Sequence, residues 1–369
     1  MRRSRFGRIA MNTKNSWLQV LRAVASIMVL LFHARPHIET SSWLRQHAGM
    51  FDFFFCGVDI FFVLSGFVIY HSAARAGSVA DFTANRLIRI FGGYWPAFLL
   101  LYLIPGWLTG KQPLMLSLVL QNLFLLSPVM TDNMMPTAWS LALELWFYAW
   151  VVLGLRFFRN AEGYYIAIML VLLAWNVFYV KERYDTVVAG MQPLRYPLTG
   201  MGVEFLFGVF VAMVFDEKKI SPRSAGLGAF LCFVTGVLAY TVGTMSPLHD
   251  RVEILRAATF GIFGLSALLV FLLLNALAVK APRILVAIGD ASFSLYLIHP
   301  FLLDVFGSIR ARYIGTEALS LETEALLAAY TMATIPAIIA LSYLWHVFVE
   351  KTIHEKVSGW RRRHGAAHA

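Results

Sequence analysis

Apolar runs long enough to cross a bilayer recur along almost the whole chain, and this limits what it can fold into. A hydrocarbon core about 30 Å thick needs roughly 20 predominantly apolar residues in a helix. Windows of that kind fall at 17–34, 51–70, 92–109, 139–155, 164–180, 198–215, 225–243, 255–275, 284–304 and 325–349. The chain is 59% hydrophobic and only 14% charged, whereas a soluble domain is about 45–50% apolar and about 25% charged. A water-soluble globule and a disordered chain are both excluded. The expected fold is all-α, a polytopic integral membrane bundle of about ten transmembrane helices. The first run follows Arg2, Arg3, Arg5, Arg8 and Lys14 as a signal peptide would, but His33-Ala34-Arg35-Pro36 follows it instead of a small-residue cleavage site. It reads as a retained helix.

The net charge of +10 then has a use other than an acidic partner. Lys and Arg accumulate on the cytoplasmic side of membrane proteins. With ten spans and both termini inside, twenty basic residues fall on the cytoplasmic side and nine on the other. The apolar stretch 114–127, bounded by Pro113 and Pro128, spoils that sorting if it spans. It is expected to be a short re-entrant or interfacial segment. The chain divides into a basic cytoplasmic segment 1–14, a membrane domain 15–350 and a basic cytoplasmic tail 351–369, whose Trp360-Arg361-Arg362-Arg363 suits anionic membrane lipid better than nucleic acid. Cys56 and Cys232 lie in apolar runs and read as small buried residues, not as a disulfide or metal site.

Ionisable groups inside spans are costly, so each is a functional candidate. Arg22 and His33 are eleven residues apart on the first helix, three turns plus about 20°, which puts them on one face about 16 Å apart. Pro36 disfavours helical geometry at Arg35, so His33 is expected in the last turn. Asp59, mid-span, needs a cation, Arg22 or another. Ser65-Gly66 allows close approach of a second backbone or a ligand. Arg86 and Arg89 share a helix face at a cytoplasmic mouth, where paired guanidinium forks suit phosphate oxygens or lipid headgroups. Glu144 and Tyr148 lie one turn apart after Trp139-Ser140; Glu144 is placed to orient the His33 imidazole or to pair with a nearby cation. Glu204 reads as structural. Ser292, Tyr296 and His299 form one polar stripe on a helix interrupted by Pro300.

In this order, Leu21-Arg22-Ala23 through Phe32-His33, Gly57-Val58-Asp59-Ile60-Phe61-Phe62-Val63-Leu64-Ser65-Gly66-Phe67, Arg86-Leu87-Ile88-Arg89-Ile90, Trp139-Ser140-Leu141 with Glu144, and Ser292-Phe293-Ser294-Leu295-Tyr296-Leu297-Ile298-His299 resemble the membrane-bound acyltransferase-3 family across about residues 15–350. The family usually has a proline soon after the paired arginines; here Pro96 comes only after Trp95. The resemblance implies transfer of an acyl group, commonly acetyl, from acyl-CoA to a hydroxyl of a surface glycan or lipid-linked sugar, with the residue matching His33 essential. It implies a bacterial inner-membrane location and is compatible with a homo-oligomer or a partner protein in glycan assembly. No metal is expected.

An O-acyl transfer needs a base, a site for the developing oxyanion and a hold on the donor. His33 suits the base because imidazole titrates near neutral pH; a transient acyl-imidazole is the other route. Arg22, Arg86 and Arg89 are the expected donor-binding residues, and His33 and Glu144 the catalytic pair. Ser65, Trp139, Ser140, Tyr296 and His299 are expected to bind substrate. The rival reading is a multi-span transporter or flippase of lipid-linked glycans, which has no reason to arrange paired arginines at one mouth and an Arg–His helix beside them.

Overall fold

The structure, a computed structural model, describes residues 15–105, 115–127, 133–158, 160–178, 198–246, 253–314 and 320–365, without the side chains of 218 and 360–365. The basic segment 1–14 and the basic residues Lys111, Arg159, Lys181, Arg183, Arg195 and Arg251, which enter the charge sorting, lie outside the described residues, as do the side chains of Arg361 to Arg363.

The described residues form helices α1 (Ser16–Ile38), α2 (Gly57–Arg75), α3 (Val79–Ala97), α4 (Leu116–Leu123), α5 (Ala138–Phe157), α6 (Ala161–Phe178), α7 (Gly200–Val214), α8 (Pro222–Met245), α9 (Ile254–Ala276), α10 (Arg283–Asp290), α11 (Ser292–Tyr313) and α12 (Leu321–Trp345). Among them, seven helical runs are long and apolar enough to cross a membrane, and Ala161–Val177 and Gly200–Val214 are shorter apolar helices. The chain is an integral membrane protein. Starts follow local chemistry: Asn15 caps α1 through the Trp17 and Leu18 amides, and Ser78, Ser221 and Ser320 cap α3, α8 and α12 in the same way. Helix α8 exposes Phe230, Leu231, Phe233 and Leu238, as a lipid-facing helix does.

The centre of the bundle is α1 and α2, and glycine sets how closely its helices meet. A Cβ at Gly66 would run into the Phe205 carbonyl of α7, and one at Gly208 into the Val63 carbonyl of α2. Of the two occupants that Ser65-Gly66 allowed, a backbone takes the glycine. Gly289 likewise brings α10 onto Gln19 of α1.

Prolines change the expected boundaries. Helix α1 continues through Pro36 to Ile38, with the Glu39 amide still donating to the Arg35 carbonyl at 3.0 Å. His33 is therefore more than a turn inside the helix end, not in the last turn. Membrane helices tolerate proline because neighbours satisfy the freed backbone groups, and here Arg35 is also tied to Glu39 and Asp52 at 2.7 and 2.6 Å. Pro300 is likewise inside α11. Pro96 lies inside α3, which passes into a π-helical turn over Phe98–Leu103, so the late proline alters the helix after the arginines, not at them. Of the segment 114–127, the described residues 115–127 hold the eight-residue α4, about 12 Å long and by itself too short to span. Tyr94 and Trp95 donate to its last carbonyls, Asn122 and Leu123, at 2.7 and 2.9 Å, and Leu125 at φ 57° turns the chain back. Helix α12 passes through a π-helical turn, His346–Glu350, into Lys351–Gly365.

Candidate active site

Two clefts open in the bundle on either side of Tyr296. The first, about 840 Å³ including the space open at its mouth, is lined by Arg22, Ser65, Arg86, Arg89, Ser140, Glu144, Tyr148, Ser292 and Tyr296 over an apolar floor from α2. Its lining holds three guanidinium groups and one carboxylate. The second, about 800 Å³ by the same measure, is lined by His33, Phe55, Thr137, Trp139, Arg256 and Tyr296. Val58 and Tyr296 belong to both.

Each arginine of the first cleft is held differently. Arg22 donates from Nε to Ser292 Oγ at 3.0 Å, and the cation that Asp59 needs is Arg256 instead, which binds both of its oxygens. Arg89 pairs with Glu350 at 2.7 Å and lies over the Phe293 ring at 4.8 Å. Glu350 is fixed in turn by Ser294 Oγ at 2.6 Å and His346 Nδ1 at 2.9 Å. Gly93 makes room for this stack, since a Cβ there would overlap the Phe293 ring. Arg86 keeps a buried Nε with no hydrogen-bond partner. A buried guanidinium N–H without an acceptor is costly, and the oxygens of an anion in the cleft would satisfy it. The cleft therefore fits a phosphate-bearing molecule.

Glu144 does not reach His33. Its Oε1 accepts from Tyr148 at 2.6 Å and from Ser65 at 3.4 Å, within the arginine cleft. His33 is backed by His299 instead. His299 is fully buried and lines neither cleft, so its expected contact with substrate is replaced by a contact with the other histidine: its Nε2 is 3.2 Å from His33 Nδ1. The tautomers follow from the carbonyls. His33 Nδ1 is 2.9 Å from the Val29 carbonyl, and His299 Nδ1 is 2.9 Å from that of Leu295. A carbonyl only accepts, so each Nδ1 carries its proton. His299 Nε2 then offers a lone pair to the His33 N–H, and His33 Nε2 is left unprotonated. That nitrogen is suited to take a proton or to attack a carbonyl carbon.

Between the clefts, the Tyr296 hydroxyl lies 2.6 Å from Ser140 Oγ, which donates to the Thr137 carbonyl at 3.1 Å. Trp139 lines the second cleft, edge-on to Phe62. Arg22, Arg86, Arg89, Ser65, Ser140, Glu144 and Tyr296 are thus brought together on one side, and His33, Trp139 and Tyr296 on the other. Sequence reading missed two residues. Arg256 binds both oxygens of Asp59, at 2.8 Å each, lies over Phe55 at 4.8 Å and lines the His33 cleft; an arginine inside an apolar span was its signal. Glu350, which clamps Arg89, had only its charge at the end of the last apolar run. Glu204 is fully buried in α7, against Gly261 of α9.

A family model described as an acyltransferase domain matches residues 15–347. Among curated proteins, the chain is 28% identical over 263 residues to the exopolysaccharide production protein ExoZ of Rhizobium meliloti (strain 1021), covering 68% of this chain and 76% of that protein. It is 26% identical over 225 residues to an O-acetyl transferase of Shigella phage Sf6, covering 56% of this chain and 65% of that protein. No solved structure matches the chain.

Proposed function

The chain belongs to the acyltransferase-3 family and is a membrane acyltransferase, and from that premise we propose that it moves an acetyl group from acetyl-CoA to a hydroxyl of an envelope polysaccharide. The observation that carries this reading is the pair of clefts meeting at Val58 and Tyr296, one with three arginines and the other with His33. The names of the two relatives, one tied to exopolysaccharide production and one to O-acetyl transfer, support the acceptor and the acyl group. Family membership also disfavours the glycan flippase as an account of the intramembrane charges.

Arg22, Arg86 and Arg89 hold the donor phosphates, and the apolar floor of the cleft covers the pantetheine arm. Arg22 and His33 are about 16 Å apart along α1, a span comparable to that arm when extended. The acceptor hydroxyl occupies the His33 cleft, beside Trp139. Its oxygen attacks the thioester carbonyl carbon as His33 Nε2 takes the hydroxyl proton. The carbon–sulfur bond then breaks, the thiolate leaves, and the imidazolium returns the proton to it, giving the ester and free CoA thiol. The acyl-imidazole route uses the same nitrogen: Nε2 attacks the carbonyl carbon and the thiolate leaves; the acceptor hydroxyl then attacks the acyl carbon, its proton passes to the thiolate, and the neutral imidazole is released. The positive charge that develops on the ring is shared through Nδ1–H with the Val29 carbonyl and His299. The twenty-to-nine charge bias supports a donor cleft on the cytoplasmic side with His33 towards the outside, and the family supports a bacterial inner membrane as the setting.

The test is a His33→Ala variant of the full chain in detergent or membranes, assayed with labelled acetyl-CoA and a chemically de-esterified exopolysaccharide. Transfer is expected to fall on the order of a hundred- to ten-thousandfold with the protein still folded. A folded variant that keeps its transfer rate overturns the assignment.

A further inference from the structure

The donor cleft and the His33 cleft share two lining residues, Val58 of α2 and Tyr296 of α11. The two clefts meet at those side chains, so the direct route from the arginine side to His33 runs past them. Tyr296 is not free to swing aside without cost, because its hydroxyl is held by Ser140 Oγ at 2.6 Å and lies 3.4 Å from the Thr137 carbonyl. Its ring also packs edge-on against Phe61. Val58 is 6% exposed and adjoins Asp59, whose carboxylate is fixed by Arg256. The backbone on this side is held too: a Cβ at Gly57 would strike the Ala25 carbonyl of α1. Both walls of the junction are therefore rigid.

We infer that the junction of Val58 and Tyr296 is the port through which the acyl group reaches His33, and that it restricts the donor to short acyl chains. The inference rests on the proposed donor and acceptor sides and adds the two residues that select among acyl groups by chain length. A thioester presented from the arginine side has only to project its carbonyl and the first carbon or two past the junction for Nε2 and the acceptor hydroxyl to reach it. Every further methylene must also fit against a branched aliphatic side chain and a latched phenol ring. A close-packed wall does not give way to extra methylenes cheaply, and one methylene in a tight apolar site discriminates about ten- to two-hundredfold.

The experiment compares acetyl-, propionyl- and butyryl-CoA as donors to the full chain, with de-esterified exopolysaccharide as acceptor and CoA thiol release as the readout. Wild type is expected to prefer acetyl over butyryl by about tenfold or more. Val58→Ala, which widens the junction, is expected to raise the butyryl-to-acetyl ratio of kcat/KM about tenfold. Val58→Ile narrows it and is expected to lose propionyl transfer before acetyl. Tyr296→Phe keeps the ring and removes the latch, so it too raises the ratio, and it stands in for Val58→Ala if that variant does not fold. A wild type indifferent to chain length, or variants that scale all three donors equally, overturns the port while leaving the donor reading intact. No transfer by folded wild type from any of the three donors overturns the donor reading and the port with it.

Discussion

At His33 the decisive detail is which ring nitrogen carries the proton. Two helical carbonyls, those of Val29 and Leu295, fix Nδ1–H on both His33 and His299, so His299 can only accept from His33. If His33 is the base, as proposed, His299 acts through it as a positioning residue. His299→Leu removes the acceptor and is expected to lower kcat on the order of a hundredfold while leaving the KM for acetyl-CoA unchanged, since His299 does not line the donor cleft. His299→Gln offers an amide oxygen near the position of Nε2 and is expected to restore most of the loss. Equal losses in Leu and Gln variants, or a raised donor KM, would refute the positioning role in a steady-state assay. The His33 candidate was legible because a titratable group on an apolar helix is conspicuous. Its partner was not legible as a partner, because 266 residues separate the two rings and neither local spacing nor periodicity reports a contact between α1 and α11. The same holds for Asp59: the need for a cation was plain, but the choice of Arg256 over Arg22 depends on how α2 and α9 pack.

At the level of elements, the described residues of the ten apolar windows are largely helical, since span length and hydropathy are properties of contiguous sequence; the window 284–304 is the exception in form, divided at Ala291 into α10 and α11. Where the reading failed, the cause was tertiary. Pro36 and Pro300 were expected to end or interrupt helices, yet both are absorbed inside them, because packing against neighbours outweighs one lost hydrogen bond. The short α4 was legible from its length; its attachment through Tyr94 and Trp95 was not. The crossing of α2 and α7 shows the reverse, a sequence feature whose meaning needed the structure. Gly66 and Gly208 each receive a carbonyl oxygen of the other helix where a Cβ would stand. Close approach of this kind supplies dispersion contacts in place of the hydrophobic drive that lipid removes. Gly66→Ala and Gly208→Ala are each expected to destabilise the protein by about 1–3 kcal/mol, and the double variant by less than the sum, because one displacement of the helices relieves both clashes. Gly226→Ala, on the lipid-facing α8 where nothing lies within 4 Å of the new Cβ, is expected to be neutral or slightly stabilising. Thermal unfolding in detergent measures all four, and equal midpoints for Gly66→Ala and Gly226→Ala would reject the close crossing as a source of stability.

For the molecule as a whole, the two clefts give the bundle a direction. Arg22 near the start of α1 and His33 near its end mark opposite sides, and the charge sorting assigns the arginine side to the cytoplasm, where acyl-CoA is made. On the proposed mechanism, a donor held from inside and an acceptor met from outside need no export of CoA, and the clustering of the arginines at one mouth is consistent with that arrangement. Two single cysteines in a background with Cys56 and Cys232 replaced by serine test this orientation: Gln46→Cys, after the His33 end of α1, and Ser224→Cys, at the start of α8, both exposed. In intact cells a membrane-impermeant maleimide is expected to label position 46 and to reach position 224 only after permeabilisation. The activity assay has to agree with the labels. Acetyl-CoA added outside inverted vesicles is expected to support transfer, and the same acetyl-CoA outside right-side-out vesicles is not. Labelling of position 224 in intact cells, or donor use from the outer face, would reverse the bundle and with it the assignment of the arginine cleft to a cytoplasmic donor.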